Sequence, residues 1–502
     1  MQHKLVAQKV LRIVCIWPTF AAVFLTAHIM RHIITLISSA KVWHPFCHAT
    51  ARAAWVLAVQ FMALTISAQT GTLPVIHIDT EGHKPVTSKT VYLPATYYIV
   101  DNNDPELNIG SEAAPLPLEI RGRGHSSWKG KKKPYKIKLG EKAPLLGMNQ
   151  HKHWALLKFY EPTVAGLQLG KIMGMDWTAS TRPVEVVLNG ENLGLYLLTE
   201  TNRIGKQRLN IYEQPNQNED PTTIPYGWLV EVDNYIETNQ ISIYESAGWS
   251  MNITYHSPES LSTAQRSWLT TEFKAINAAV YAPDKENSSW EQKIDVDAMA
   301  RYFIIQEVLD NSDGFHGSFY LHKDSTDDAQ WVAGPLWDLS CNQRQKTDYT
   351  FRMKTSYTFV PHWIGELIKD EDFCRAVRKA WREFYPQQVQ PWMEYIDQHL
   401  QPCSQAFEQE KILWSYTDQA TLKQRTDKLK SALLANIEWF NNHLPGNTNG
   451  VDATSVDNKD ITRVDYINLA GVRSSQPWHG VNIIVTTYSD GTTATSKAFI
   501  RH

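Results

Sequence analysis

The spacing of the apolar residues changes twice along this chain, and that change constrains the fold more than any other feature. From Leu73 to Asp233 apolar and polar residues alternate in short runs, the period of two typical of β-strands. Between 346 and 445 apolar residues recur every three or four positions, as in amphipathic helices that bury one face. Short alternating runs return from Ile461 onward. The sequence predicts an α+β fold with mixed sheets, a helical lobe and a small all-β, sandwich-like tail.

Composition places the chain among globular proteins. Its 502 residues are 43% hydrophobic and 20% charged, so it can bury a sizeable core. The net charge of −3 gives no general attraction to nucleic acid or acidic membranes, and we predict no nucleic-acid partner. Its 18 tryptophans are expected mainly in the core. The five cysteines are widely spaced and predict neither a disulfide framework nor a zinc site.

An uncharged run precedes the first predicted strand. Ala53–Ala68 is shorter than the ~20 residues that a membrane span needs. It ends in small residues followed by polar sequence, the layout of a signal peptide. A second apolar run, Ile13–Met30, lies upstream, so either Met30 is the true start or this run is a membrane anchor. We predict a leader over 1–69, membrane contact only through that leader, and export to the outer surface or medium, with the periplasm as the alternative.

The most unusual stretch of the chain is strongly basic. Residues 121–142, RGRGHSSWKGKKKPYKIKLGEK, contain nine lysines or arginines and one acid. The glycine-containing turn permits close backbone approach to a phosphate, and Ser126 and Ser127 supply hydroxyls. In the strand that follows, Lys136 and Lys138 share one face. The segment predicts a polyphosphate site, with a solvated basic strand or a local nucleic-acid patch as the alternatives.

Two further patterns place acids on strands. Asn189-Gly190 separates two alternating apolar runs, which is typical of a hairpin with a type I′ turn. The second run of that hairpin ends at Glu200. In a later predicted strand, GWLVEVD, Glu231 and Asp233 lie on one face.

Aspartates also follow a predicted helix that begins at Asp297, its N-cap, and ends at Leu309. The next loop contains Asp310 and Asp313, a hairpin follows, and Asp338 lies near its end. Protein kinases use this order: one aspartate accepts the proton of the acceptor hydroxyl and the other holds magnesium on the phosphates. Taken alone, each of these aspartates is about as typical of an ordinary turn or strand end as of a catalytic site.

Several sequence blocks together resemble the CotH (spore coat protein H) kinase family. In the family's order these are IRGRGHSSW, KKKPYKIKL, APLLGM, HWALLKFY, VEVVLNGENLGLYLLTE, GWLVEVD, LDNSDGFHGSFYLHKD and GPLWDL. Helical regions at 363–382 and 413–444 resemble its C-terminal part. The resemblance implies an atypical, two-lobed protein-kinase fold over 70–445. It also implies ATP and a divalent cation, Mg or Mn, as cofactors.

The same resemblance implies roles for particular residues. Asp313 would be the catalytic aspartate, Asp338 and Ser318 would bind the metal, and Glu200 would partner a lysine. The other nucleotide-binding residues implied are Arg121, Arg123, Ser126, Lys133, Lys136, Lys138 and Glu231.

Three features depart from the family pattern. Ser318 stands where kinases usually have asparagine, and Ser340 stands where many members have aspartate or asparagine. The Arg-Asn pair that usually follows HWALLKFY is absent from 161–167. The expected function is transfer of phosphate from ATP to a protein or other hydroxyl acceptor. The alternative is a catalytically degenerate member that acts in envelope assembly or binding.

The C-terminal region is expected to be separate. Residues 446–454 are typical of a linker. The tail, 455–502, carries GVNIIV and DGT among short alternating strands and resembles the sorting domain of cargo for type IX secretion. That resemblance implies the secretion machinery as a partner, while a generic adhesive β-module is the alternative.

Overall fold

A computed structural model describes most of the chain beyond the predicted leader. The ranges described are 73–221, 227–233, 235, 237–244, 250–284, 288–324, 329–352, 363–446, 461–468, 472–478, 480–488 and 493–500. The predicted leader, and the predicted linker after Gly446, lie outside these residues. Within them, we find no helix whose length and hydrophobicity would let it cross a membrane.

Seven strands close into a barrel. They are β1 (Val75–Thr80), β2 (Leu93–Val100), β3 (Leu116–Gly122), β4 (Tyr135–Ala143), β5 (His151–Lys158), β6 (Thr181–Leu188) and β7 (Glu191–Glu200). Their order around the barrel is β1-β2-β3-β4-β5-β7-β6, and the closing pair, β1 with β6, is parallel. Alternate residues point inward, so Ile76, Ile137 and Trp154 are fully buried. Asn189 and Gly190 connect β6 to β7 at positive φ, which confirms the predicted hairpin.

A second sheet has five strands. They are β8 (Trp228–Asp233), β9 (Gln240–Tyr244), β10 (Ser250–Ser257), β11 (Phe319–Lys323) and β12 (Val332–Ala333), in the order β12-β11-β8-β10-β9. Strand β8 lies between β10 and β11, and Glu231 is opposite Thr254 on one side and Tyr320 on the other.

Helices supply the rest of the core. They are α1 (Ser126–Lys129), α2 (Glu161–Ile172), α3 (Thr263–Val280), α4 (Val296–Leu309), α5 (Trp363–Leu367), α6 (Glu371–Phe384), α7 (Val389–Leu400), α8 (Ser404–Leu413) and α9 (Leu422–Asn442). Almost all of α4 is buried, including Phe303 and Ile304. This mixture of sheets and helices confirms the predicted α+β class, but the sequence did not predict the closed barrel.

The N-cap of α4 was predicted wrongly. The carboxylate of Asp295 accepts a hydrogen bond from the backbone N–H of Ala298 at 2.8 Å, as an N-cap does. Asp297, the predicted cap, lies one residue inside the helix and forms an exposed ion pair with Lys379. Two aspartates two positions apart offer the same signal, and only the backbone conformation distinguishes them.

Large aromatic residues fill the interior, as predicted. The fully buried tryptophans are Trp154, Trp228, Trp290, Trp331, Trp381 and Trp392. Cys341, Cys374 and Cys403 are free and buried, and burial raises the pKa of each thiol well above its usual value. These thiols are therefore core residues in the described structure.

The C-terminal strands form one antiparallel sheet. They are β13 (Ile461–Asn468), β14 (Arg473–Ser474), β15 (Gly480–Tyr488) and β16 (Thr493–Ile500), in the order β14-β13-β15-β16. Thr487 pairs with Thr493, and residues 489–492 between them lie outside the described residues. The sorting role of this tail stays a prediction.

Candidate functional site

Two neighbouring cavities lie where the barrel meets the five-stranded sheet. The larger cavity has a volume of about 330 Å³. Its lining includes Arg123, Lys136 and Arg203 from the barrel side and Tyr255, His256 and Tyr320 from the sheet. The smaller cavity, about 170 Å³, is lined by residues that include Ser127, Lys158, Thr163, Thr199, Asp338 and Leu339. Arg123 and Trp337 line both cavities, with the guanidinium 5.3 Å from the indole centroid, so this pair stands between them.

Three cations and two acids, Glu213 and Glu259, line the larger cavity. Desolvation, together with the charges of Arg203, Arg121 and Arg123, lowers the pKa of Lys136 to about 7, and the charge of Glu259 opposes this shift. Arg203 is 2.8 Å from Glu259, whereas no side-chain acceptor among the described residues bonds to Lys136 or Arg123. These two cations favour an anionic ligand.

The loop between β3 and β4 brings Arg123 and Ser127 into the site. Gly124 has a φ of +84°, and a Cβ there would lie 2.1 Å from the Ser127 hydroxyl oxygen. The glycine is therefore required both for the backbone conformation and for the space that Ser127 occupies. Of the two predicted hydroxyl residues, Ser126 lies exposed at the start of α1 and Ser127 lines the smaller cavity.

Some of the predicted basic residues have partners of their own. Lys133 donates to the Trp128 carbonyl at 2.6 Å and lies 5.0 Å from the centroid of that indole ring. Lys138 pairs with Glu119 at 2.9 Å on the exposed surface. Arg121 donates to the Lys89 carbonyl. Lys136 and Lys138 do share a face of β4, but only Lys136 lines a cavity.

Glu200 does not partner a lysine of the basic segment. Pairing across β4, β5 and β7 aligns Ile137, Trp154 and Glu200 in one row on the inner face of the barrel wall. Lys136 belongs to the adjacent row, which faces outward. The Glu200 carboxylate accepts from the Ser180 backbone N–H at 2.8 Å. Desolvation raises its pKa, and Arg208 and Lys171 are the neighbouring cations that oppose this rise.

Asp338 lies at the smaller cavity in a left-handed backbone conformation, with a φ of +51°. The residue is solvent-exposed, and among the described residues its carboxylate accepts no hydrogen bond. Desolvation raises the pKa of Asp338. The charge of Arg123 opposes this rise, and the charges of Asp313 and Glu231 add to it. The charges of Arg123, Asp313 and Glu231 therefore all act on the Asp338 carboxylate.

Asp313 belongs to a one-turn 3-10 helix, Ser312–Phe315, directly after α4. Its side chain is 66% exposed, and desolvation raises its pKa. The turn is fixed from below, because Tyr302 donates to the Gly314 carbonyl and a Cβ at Gly314 would lie 2.3 Å from the Gln306 amide. These contacts hold the turn in place, while the Asp313 side chain is exposed to solvent.

The two serines that depart from the family pattern lie near this loop. Ser318 directly precedes β11 and has a φ of +52°. Ser340 donates to the Asn311 side-chain oxygen at 2.7 Å, and the Asn311 amide in turn donates to Gln306 at 2.8 Å. Ser340 therefore helps to hold the loop that carries Asp313.

Glu231 lies on the central strand of the sheet, with partners that sequence analysis missed. Its carboxylate is 2.7 Å from His256 Nε2 and also hydrogen-bonds the Tyr320 hydroxyl. Desolvation and the charge of Glu231 raise the pKa of Asp233 to about 6. His256 lies in no block that sequence analysis singled out, and Tyr320 lies inside LDNSDGFHGSFYLHKD without a signal of its own, so only strand pairing reveals their position.

A buried ion cluster lies under the Asp313 loop. Lys346 is 2.8 Å from a Glu307 carboxylate oxygen and 3.5 Å from one of Asp310. Thr350 donates its hydroxyl to Asp310 at 3.0 Å and its backbone N–H to Glu307 at 2.8 Å. Asp310 is fully buried, so it anchors the loop and leaves Asp313 as the exposed acid.

The described residues contain one group of three acids whose potential ligand atoms lie within 4.8 Å of one another: Glu291, Asp370 and Asp372. None of these lines either cavity. Asp338 is therefore not part of a preformed cluster of three protein carboxylates or imidazoles.

Comparison with known proteins gives one result for this region. A family model described as CotH kinase protein matches residues 120–440, more than half of the 502-residue chain. The matched range contains the lining of both cavities. A search of curated proteins finds no match.

Proposed function

The chain belongs to the CotH kinase family, and from that premise we propose that it transfers phosphate from ATP to a hydroxyl group of a protein or other acceptor. One observation carries this proposal. Three cations, Arg123, Lys136 and Arg203, line the larger cavity, and the exposed Asp338 lines the adjoining one, where the charges of Arg123 and Asp313 act on it. Phosphoryl transfer needs little from a protein beyond positioning and charge stabilisation, and this arrangement offers both.

In this proposal the nucleotide occupies the larger cavity and its phosphates extend past Arg123 towards Asp338. The aromatic rings of Tyr255 and Tyr320 offer flat apolar surfaces for a base. Lys136 and Arg203 neutralise phosphate charge. The barrel and the sheet-and-helix region then act as the two lobes of a kinase-like fold.

A divalent cation suits Asp338. Its carboxylate is exposed, accepts no hydrogen bond from the described residues and lies near two other acids, so a cation there would relieve repulsion. Mg²⁺ usually binds one or two carboxylates plus phosphate oxygens and water, and does not need three protein acids. When bound, Mg²⁺ or Mn²⁺ would neutralise charge on the phosphates.

Asp313 suits the role of general base. It is exposed to an incoming acceptor, and its raised pKa brings it nearer to neutral pH. The acceptor hydroxyl oxygen forms the new bond to the γ-phosphorus, its proton passes to an Asp313 carboxylate oxygen, and ADP leaves with the electrons of the broken P–O bond.

A second candidate function is favoured by the two serines. Ser340 is engaged with Asn311, and Ser318 offers a weaker metal ligand than the usual asparagine. A protein with these changes could use the cleft for binding, as a scaffold in surface assembly. Nucleotide binding without transfer would favour this alternative.

Asp338→Asn tests the proposed metal site. The substitution keeps the shape of the side chain and removes its charge. We therefore expect the factor by which Mg²⁺ strengthens nucleotide binding to fall at least about tenfold. Calorimetry with a non-hydrolysable ATP analogue, with and without Mg²⁺, measures this. Asp348→Asn is the matched control, because Asp348 is an exposed acid paired with Arg352. Equal Mg²⁺ dependence in wild type and Asp338→Asn would refute the assignment.

We also propose that the protein is exported and that its C-terminal strands direct it to the type IX secretion machinery. The leader pattern and the GVNIIV and DGT motifs support this. The mature protein is expected to begin near Gln69, and deletion of 451–502 is expected to change where it accumulates while nucleotide binding is kept. N-terminal sequencing and cell fractionation of both forms measure this. An intact Met1 would contradict export, and unchanged location of the truncated form would contradict the role of the tail.

A further inference from the structure

Lys158 is a lysine that lies outside the basic segment yet faces the same cleft. It is the last residue of β5 and lines the smaller cavity together with Asp338 and Arg123. Its ammonium lies against the β3–β4 loop, where a Cβ at Gly130 would be only 2.8 Å from it. Because Gly130 has no Cβ, it leaves room for the Lys158 ammonium.

The other lysines of this neighbourhood already have partners. Lys132 is buried and paired with Glu410, and Lys133 donates to the Trp128 carbonyl and lies over its ring. For Lys158, in contrast, no hydrogen bond or ion pair forms with any part of the chain that the structure describes. Desolvation and the charge of Lys133 lower its pKa, which shows that its own surroundings disfavour its positive charge.

The polar residues that line the smaller cavity suit one phosphate group. They are Arg123, Ser127, Lys158, Thr163 and Asp338, beside apolar residues that include Leu157 and Leu339. Thr199 also lines the cavity, but its hydroxyl is hydrogen-bonded to that of Thr181 at 3.0 Å. At about 170 Å³ it has roughly half the volume of the larger cavity. The group transferred to an acceptor must lie near Asp313 and Asp338, and the smaller cavity is the one that Asp338 lines.

We propose that Lys158 binds the terminal phosphate of a nucleoside triphosphate in the smaller cavity and so makes the site prefer a triphosphate to a diphosphate. This inference rests on the proposed function, but it assigns a residue and a selectivity that the family resemblance does not.

The test compares two ligands, the β,γ-imido analogue of ATP and ADP, each titrated with Mg²⁺ into the full-length protein by calorimetry. In Lys158→Met, the triphosphate analogue is expected to bind about 10- to 100-fold more weakly, the usual loss for a charge-assisted hydrogen bond. ADP affinity is expected to change by less than about threefold. Lys158→Gln, which keeps a polar end, serves as the second variant, and thermal melting of each variant checks that it folds.

Lys152→Met is the matched control. Lys152 lies on the same strand and donates to the Gly140 carbonyl at 2.6 Å, and it lines neither cavity. The Lys152→Met variant should have the same ratio of triphosphate affinity to diphosphate affinity as the wild type. If folded Lys158 variants bind both ligands as the wild type does, or lose both equally, this inference is overturned while the proposed function stands. If the wild type binds neither ligand, both are overturned.

Discussion

Replacing Asp313 by asparagine is expected to lower the rate of phosphoryl transfer by about 10²–10⁴, the range for loss of a general base. The amide keeps the size of the side chain but cannot accept the hydroxyl proton. Asp313 is exposed on a turn that Tyr302 and Gln306 support from below, so the substitution should leave the loop in place. Nucleotide affinity is expected to stay within about threefold of the wild type, because Asp313 acts on the acceptor.

Single-turnover assays and nucleotide titrations on the same preparation separate these two effects. Asp427→Asn is a suitable control, since Asp427 forms an exposed i,i+4 pair with Lys423 on α9. A fall in nucleotide affinity as large as the fall in rate would place Asp313 in the nucleotide site. An unchanged rate would remove it from the mechanism.

Replacing Lys346 by methionine is expected to destabilise the protein by about 3–5 kcal/mol, the usual cost of removing one partner of a buried ion pair. Lys346 and the carboxylates of Glu307 and Asp310 are fully buried, and removal of Lys346 leaves Glu307 without a cation, while Asp310 keeps Arg344 at 3.0 Å. Burial already raises the pKa of Glu307, and the Lys346 charge opposes that rise. Both acids flank the loop of Asp313, so activity should fall together with stability.

Chemical denaturation of the variant measures this loss. Lys369→Met is the control, because the Lys369–Glu366 pair is on the surface and such pairs contribute at most about 1 kcal/mol. Adding Glu307→Gln to Lys346→Met should recover part of the lost stability by removing one unpaired charge. A loss below about 1 kcal/mol for Lys346→Met would show that the cluster does not hold the loop.

Local signals predicted much of the secondary structure. The Asn189-Gly190 turn, the alternation in β4 and β8 and the helix before Asp310 depend on neighbouring residues, which a sequence displays directly. The closed barrel could not be predicted this way, because the pairing of β1 with β6 joins residues about a hundred positions apart. No local pattern encodes such a contact.

The same division holds for the site. Arg123, Lys136, Asp313 and Asp338 each lie in a distinctive block of the sequence, and in the structure Arg123 and Lys136 line the larger cavity and Asp338 lines the smaller one. It could not separate Lys136 from Lys138, because both alternate on β4 and only the extent of the cavity tells them apart. Glu200 was misassigned because its face depends on the register of three strands.

The residues that sequence analysis missed share one property. His256, Tyr320 and Lys158 lie on strands that are separate in the sequence, and no local pattern marks any of the three as a site residue. Lys158 lies inside HWALLKFY, a block that suggested the family, but nothing there indicates that its ammonium would be left without a partner. That conclusion depends on knowing where the partners of Lys132 and Lys133 lie.

The most direct test of the central claim is transfer of the terminal phosphate from γ-labelled ATP by the purified full-length protein in the presence of Mg²⁺ or Mn²⁺. The account predicts metal-dependent transfer of the label from ATP to a protein or to another hydroxyl acceptor. The rate of this transfer should be lower in both Asp313→Asn and Asp338→Asn. Label transfer that persists at the wild-type rate in those variants would contradict the assignment of the site. No transfer to any hydroxyl acceptor by the wild type with either metal would contradict the proposed enzyme.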